Sequence, residues 1–238
     1  MRALSSDTER VFLAPGDYVD SDHPVIRASA RNLTRGATSP AEKAKAVFYA
    51  VRDLHYHADD FSVLDSYRAS SVLMAGHGYC VAKASLFAAL CRAAEIPARP
   101  AFADVRNHLA SPDLLELMGT DVFAWHGYVE VLLDGRWIKV SPTFDAPMCK
   151  QLGVKPLEFD GVSDALLQDF DGSGRSMTYV KVHGAFADVP ARFLASEMPR
   201  LYPKVSKLIA AGGFKLDPGR ERASAEARSK WFNPVSGN

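Results

Sequence analysis

The most regular alternation of apolar and polar positions lies in "TSPAEKAKAVFYAVRDLHY". There Ala44, Val47, Phe48, Val51 and Leu54 recur at the three- and four-residue spacing that places side chains on one helix face. Ser39, Pro40 and Glu42 stand before them as N-cap, first-turn proline and reciprocating acid of a capping box, so the start of the helix is predicted along with its face. Upstream, "SDHPVIRASARNLTRG" predicts a shorter helix, opened by Pro24 and stopped by Gly36. The pattern then changes: from Val81 to Ala94 apolar residues fall on nearly every face, interrupted by Lys83, Ser85 and Arg92. A helix that is apolar all round is enclosed by other elements at the centre of a domain. The Gly-rich turn "GHGYC" leads into it and sets Cys80 in its first turn.

Strand patterns follow. "EIPARPAFADV" reads as a turn at Pro97 and then a strand, with a loop carrying Asn107 and His108 behind it. In "AWHGYVEVLLDGRWIKVSPTFD" two strand-like runs meet at Asp134-Gly135, a dipeptide that accepts the positive φ angles of a two-residue hairpin turn. Such a turn fixes the register: Leu133 faces Arg136, Leu132 faces Trp137, Tyr128 faces Ser141 and His126 faces Thr143. Alternation groups His126, Tyr128, Glu130, Ser141, Thr143 and Asp145 on one side of the hairpin, expected to look toward the helix, with Glu130 paired to Lys139. Beyond Cys149, "LEFDGVSDALL" and "MTYVKVHGAFADVP" are candidates for further elements. The end of the chain reads as a polar tail in which Trp231 and Phe232 are the candidate docking residues. The whole predicts a single α+β domain over residues 1–215, its core at 40–145, followed by a tail at 216–238.

Composition narrows the partners. At 238 residues and 47% hydrophobic content the chain can bury a sizeable core. Lys and Arg total 28, as do Asp and Glu, and no block of one sign stands out, which argues against nucleic acid. No apolar stretch reaches the roughly 18 residues that span a bilayer, and "MRALSSDTERVFLAPGDYVD" lacks the apolar core of a signal peptide, so a soluble cytoplasmic protein without membrane partners is expected. Three scattered cysteines fit reduced thiols rather than a disulfide framework.

Free cysteine is usually a buried apolar residue, a reading that suits Cys91. Cys80 differs, because unpaired N–H groups and the dipole at a helix start favour a thiolate and also donate to an oxyanion. Its pKa is expected below the ~8.5 of a free cysteine. Acyl transfer by a thiolate needs a group that takes and returns a proton, and His126 on the hairpin is the best placed of seven histidines.

Three blocks, "AEKAKAVFYAVRDLHY", "GHGYCVAKASLFAALCRAAEIPAR" and "WHGYVEVLLDGRWIKVSPTFD", with Arg99 after the helix, make residues 40–145 resemble a transglutaminase-like domain of the papain-like cysteine superfamily. The resemblance implies a central helix carrying the cysteine, packed on an antiparallel sheet carrying the histidine. It also implies a Cys-His-Asp triad that needs no metal or other cofactor. Cys80 falls on the family's nucleophile and His126 on its base, but the acid of the family's "DPT" is Ser141 in this chain's "SPT". A hydroxyl orients an imidazole without stabilising the imidazolium as a carboxylate does. Asp145, on the same nominal face, is therefore the preferred orienting acid and Ser141 the alternative.

The remaining candidates are weaker. His55, His57, Asp59 and Asp60 in "LHYHADD" match no standard metal signature, and a solvated loop is expected. His77 either neighbours the thiolate or decorates its turn. Trp125, Tyr79, Asn107 and His108 are candidate substrate contacts. Three functions stay open: a thiol hydrolase of amide or peptide bonds acting through an acyl-enzyme on Cys80, an acyl transferase using the same thioester, or a catalytically silent binding domain. The partner expected is a peptide or small amide; neither its identity nor the oligomeric state is legible.

Overall fold

A computed structural model of the chain describes residues 7–167 and 176–211. The tail at 216–238, with Trp231 and Phe232, lies outside the described residues. The capping box forms as written: the Ser39 hydroxyl accepts from the Glu42 N–H at 3.2 Å and the Glu42 carboxylate accepts from the Ser39 N–H at 3.2 Å. Helix α3 (Pro40–Arg52) follows, burying Ala44, Val47, Phe48 and Val51. Before it stand α1 (Asp7–Val11) and α2 (Pro24–Leu33). After it come β1 (His55–Tyr56), α4 (Ala69–Ala75), β2 (His77–Gly78) and α5 (Cys80–Ala93). The rest of the order is β3 (Ala98–Asn107), α6 (Pro112–Met118), β4 (Val122–Leu133), β5 (Arg136–Val140), α7 (Ala146–Leu152), β6 (Met177–Ala185), α8 (Ala191–Leu201) and α9 (Pro203–Ala210). The segment "LEFDGVSDALL" contributes one parallel bridge, Val140 with Ala165, whereas "MTYVKVHGAFADVP" supplies β6.

The fold is α+β. Strands β5-β4-β3-β6 form one antiparallel sheet, and α5 packs on it with every residue from Val81 to Arg92 buried. The three polar residues that interrupt the apolar run of α5 all donate to backbone carbonyls of other segments. Lys83 Nζ reaches Arg52, Leu54 and Thr143 at 2.9, 2.8 and 2.7 Å, and Ser85 reaches Tyr18 at 3.0 Å. The Arg92 guanidinium reaches Ala98, Ala14 and Ala187 at 2.8, 2.7 and 2.7 Å. A buried carbonyl without a partner costs about 1–3 kcal/mol, so these side chains complete the backbone of the segments they tie to the helix.

The hairpin register is as predicted, with Leu133 opposite Arg136, Leu132 opposite Trp137 and Glu130 opposite Lys139; Asp134 and Gly135 take the positive φ angles of the tight turn, 48° and 77°. Two expectations about it fail. Glu130 pairs with Arg99 on β3, at 2.6 Å, because β4 lies between β3 and β5 and the Arg99 guanidinium is held over the Trp137 ring at 3.9 Å. The polar line also does not face the helix. Val129 and Val131 join α5 in the main core, while Tyr128 packs with Ala101 and Ala103 on the opposite face.

Candidate active site

Helix α5 begins at Cys80, and its N-cap, Tyr79, makes no side-chain cap hydrogen bond. The first-turn N–H groups are left to the sulfur, which accepts from the amides of Val81 and of Cys80 itself, and from Gly127 on β4. Gly127 is required there: a Cβ would lie 2.8 Å from Val81 Cα and 3.1 Å from the Cys80 carbonyl oxygen. The ladder between β4 and β5 ends at Val129 and Val140, so the N–H of Gly127 is available at the open edge of the sheet. The start of α5 thus packs on the face of β4 at Gly127, just beyond the end of β5. Burial pushes the Cys80 thiol up to about 11, against the downward pull of those three amides. The expected depression of its pKa is therefore overturned; helix-start donors are present, but removing the thiolate from water outweighs them.

His126, one residue before Gly127, is buried, and burial pushes its imidazole down to about 4. Its Nε2 lies 3.4 Å from the Ser141 hydroxyl, which in turn lies 2.8 Å from the Thr143 hydroxyl. Both hydroxyls are buried. Ser141, and not Asp145, is therefore the group on His126 Nε2. The Asp145 carboxylate accepts from the Met148 N–H at 2.7 Å, capping α7, and from the Tyr56 N–H at 2.9 Å, and it contacts His55 Nδ1 at 3.2 Å. The preference for Asp145 as the acid on His126 is corrected by this geometry. Asp145 precedes Ala146-Pro147 at a helix start, a position that claims a carboxylate for the backbone.

A cavity of about 520 Å³ joins these groups. Cys80, His126, His55, His57, Tyr79 and Asn107 line it, and most of the remaining wall is apolar. Two expected substrate contacts are elsewhere. Trp125 does not line the cavity; its ring stacks on His183 at 4.0 Å, and its backbone holds a φ of 57° where β3 and β4 shift register at a bulge. Asp104 fixes that bulge by accepting from the Trp125 N–H at 3.1 Å and contacting His183 Nε2 at 2.7 Å. His108 is exposed and also lies off the cavity.

With this geometry in view, residues 27–142 match the family model of the transglutaminase-like superfamily. The chain carries a transglutaminase-like domain. Among solved structures it is similar to a candidate cysteine protease from Cytophaga hutchinsonii, with a TM-score of 0.50 at 19% identity over 79% of this chain and 50% of that one. The chain spans half the length of that neighbour, and at this identity the likeness is one of fold. Among curated proteins no significant match is found.

Three groups of this transglutaminase-like domain escaped the sequence reading. Gly127 is the first; a glycine directly after a strand histidine was its only signal. Lys83 is the second. Burial pushes its amine down to about 7, yet three carbonyl partners call for three N–H donors, which only the ammonium possesses. We take it as charged. Asp145 agrees: burial works to raise its carboxyl, but hydrogen bonds from His55, Met148 and Tyr56 and the charge of Lys83 hold it below the usual range.

The third is a cluster that no short motif spells out. The parallel pair β1–β2 sets His55 beside His77 and Tyr56 beside Gly78, and the His57 N–H donates to the Gly78 carbonyl at 3.2 Å. His57, Asp59 and His77 are brought together in this way: His77 Nε2 lies 3.1 Å from Asp59 Oδ1, and His57 Nε2 lies 3.8 Å from the same oxygen. Asp60, read with them in the sequence, instead accepts from the N–H and hydroxyl of Ser62. Among the described residues no helix is long and apolar enough to cross a membrane.

Proposed function

We propose that the chain is a thiol hydrolase of amide or peptide bonds that works through an acyl-enzyme on Cys80. The observation that carries the reading is the shared position of Cys80 and His126 on one cavity, with the amide of the residue after His126 bonded to the sulfur. Both groups rest neutral near pH 7, the thiol because its pKa lies near 11 and the imidazole because its pKa lies near 4. Attack then moves the thiol proton to His126 as the sulfur–carbon bond forms, rather than from a standing ion pair. The carbonyl oxygen gains the electron pair and meets the amides of Cys80, Val81 and Gly127, the donors an oxyanion needs. Collapse breaks the carbon–nitrogen bond and the leaving amine takes the proton from His126; water then attacks the thioester with His126 taking its proton, the carbon–sulfur bond breaks, and His126 returns that proton to the Cys80 sulfur. Ser141 orients the ring through Nε2.

The wall includes Phe61, Phe123, Phe144, Met118, Met148 and Met198, which supports a substrate with an apolar group next to the scissile carbonyl. The same apolar wall favours a second reading, in which an amine rather than water takes the acyl group, since little of the lining would hold water. The test is alkylation at neutral pH with mass-spectrometric site mapping, followed by a panel of amides bearing apolar side chains with and without added amine. Release of the acid supports the hydrolase, formation of a new amide supports the transferase, and neither product with an unreactive Cys80 leaves a binding domain.

A further inference from the structure

We propose that His57, Asp59 and His77 bind a divalent metal ion of the zinc class at one wall of the cavity. Their three ligand atoms lie within 4.8 Å of one another. A zinc ion with bonds of ~2.0–2.1 Å in tetrahedral geometry holds its ligands about 3.4 Å apart. The two edges at Asp59 Oδ1, 3.1 and 3.8 Å, bracket that spacing, and the third, between the imidazoles, is no longer than 4.8 Å. A simple histidine–carboxylate hydrogen bond accounts for His77 and Asp59 but leaves His57 without a reason: at 3.8 Å it makes no hydrogen bond, yet its Nε2 converges on the same oxygen. The two rings meet edge to face at 5.0 Å, with an interplanar angle of 89°, so they are not held together by stacking.

The backbone has already made the arrangement. The β1–β2 pair and the bond from the His57 N–H to Gly78 fix the segments carrying His57 and His77 before any ion arrives. Two imidazoles and one carboxylate select zinc, cobalt or nickel over calcium and magnesium, which prefer all-oxygen sites. Three protein ligands leave a fourth position open, and of the three it is His57 that lines the cavity. His77 precedes Cys80 by three residues, which makes the ion a clamp on the loop leading into α5. The site stands independently of the thiol chemistry proposed above.

The experiment uses the full chain, freed of metal with a chelator, titrated calorimetrically with Zn²⁺ and spectroscopically with Co²⁺. One equivalent of Zn²⁺ is expected to bind, and Co²⁺ is expected to give the intense visible bands of a four-coordinate ion without a thiolate charge-transfer band. His57→Ala and His77→Ala should each weaken binding more than about 100-fold, beyond the 10–100-fold effect of an outer-shell change. Asp59→Asn, a conservative change at a partly exposed residue, should do the same while circular dichroism shows the native fold; Cys80→Ser should bind as the parent does. Absence of stoichiometric binding, binding unchanged in all three ligand variants, or binding lost in Cys80→Ser would each overturn the proposal.

Discussion

Of the three imidazoles that line the cavity with Cys80, two are held in opposite ways. His126, at the open edge of β4, has a hydroxyl on its Nε2, that of Ser141 at 3.4 Å. His55, on β1, has a carboxylate on its Nδ1, that of Asp145 at 3.2 Å. A catalytic imidazolium wants the carboxylate, yet in this domain the carboxylate belongs to the architecture: Asp145 caps α7, takes the Tyr56 N–H and feels the Lys83 ammonium. The ring on β4 is therefore supported by a neutral group. What separates the two histidines is the partner on the ring, a carboxylate or a hydroxyl, not their place on the cavity.

The largest expected contrast is kinetic. His126→Ala should lower acylation by about 10²–10⁴-fold in single-turnover assays, the usual value of a general base, while His55→Ala stays within about tenfold; the opposite ranking would make His55–Asp145 the working dyad. Next comes acid. The folded-state pKa of His126 lies near 4 against an ordinary 6.5, so the unfolded chain takes up a proton that the fold refuses. Stability is undiminished above pH 6.5, falls between 6.5 and 4, and levels off below, with a loss from this group of up to about 3 kcal/mol. Denaturant melts across that range should show the loss in the parent and not in His126→Ala.

Asp145→Ala should cost about 1–2 kcal/mol of stability, because it removes a helix cap, with turnover reduced far less than in His126→Ala. Urea melts and a single assay decide this, and a collapse of turnover in a fully stable variant would return the catalytic role to Asp145. The smallest effect is expected at Ser141→Ala, about 3–10-fold in turnover, as for a neutral hydrogen bond worth ~1 kcal/mol. Ser141→Asp sharpens the contrast. It should raise the His126 pKa, followed by ring-proton NMR, by giving that ring the partner His55 has.

The sequence carried the hairpin register because a two-residue turn leaves no freedom in pairing. It carried the start of α3 because every capping group lies within four residues. The helix-facing side of β4 was legible too, in Val129 and Val131, but the catalytic role assigned to His126 drew the polar residues to that side. The missing fact was that the start of α5 meets β4 at Gly127, on the face that carries Val129 and Val131. Asp145 was misplaced because a long-range role was weighed before a local one: an Asp two residues before Pro147 is already a cap. The cluster of His57, Asp59 and His77 could not be read at all, since its third member comes from a different segment, joined only by a two-residue parallel pairing.

The reach of Arg92 has a consequence in time. Its guanidinium is completed by carbonyls at Ala14, Ala98 and Ala187, so the helix that carries the thiol waits for a stretch of chain made long after it. On the ribosome, a nascent chain that has released Cys80 but not residue 187 also lacks β6, leaving one edge of β3 open. Domains settle as units once their last strand is available. The sulfur is therefore set in its cradle of amides only after β6 and residue 187 have been made, which keeps a shorter nascent chain from presenting the assembled cradle.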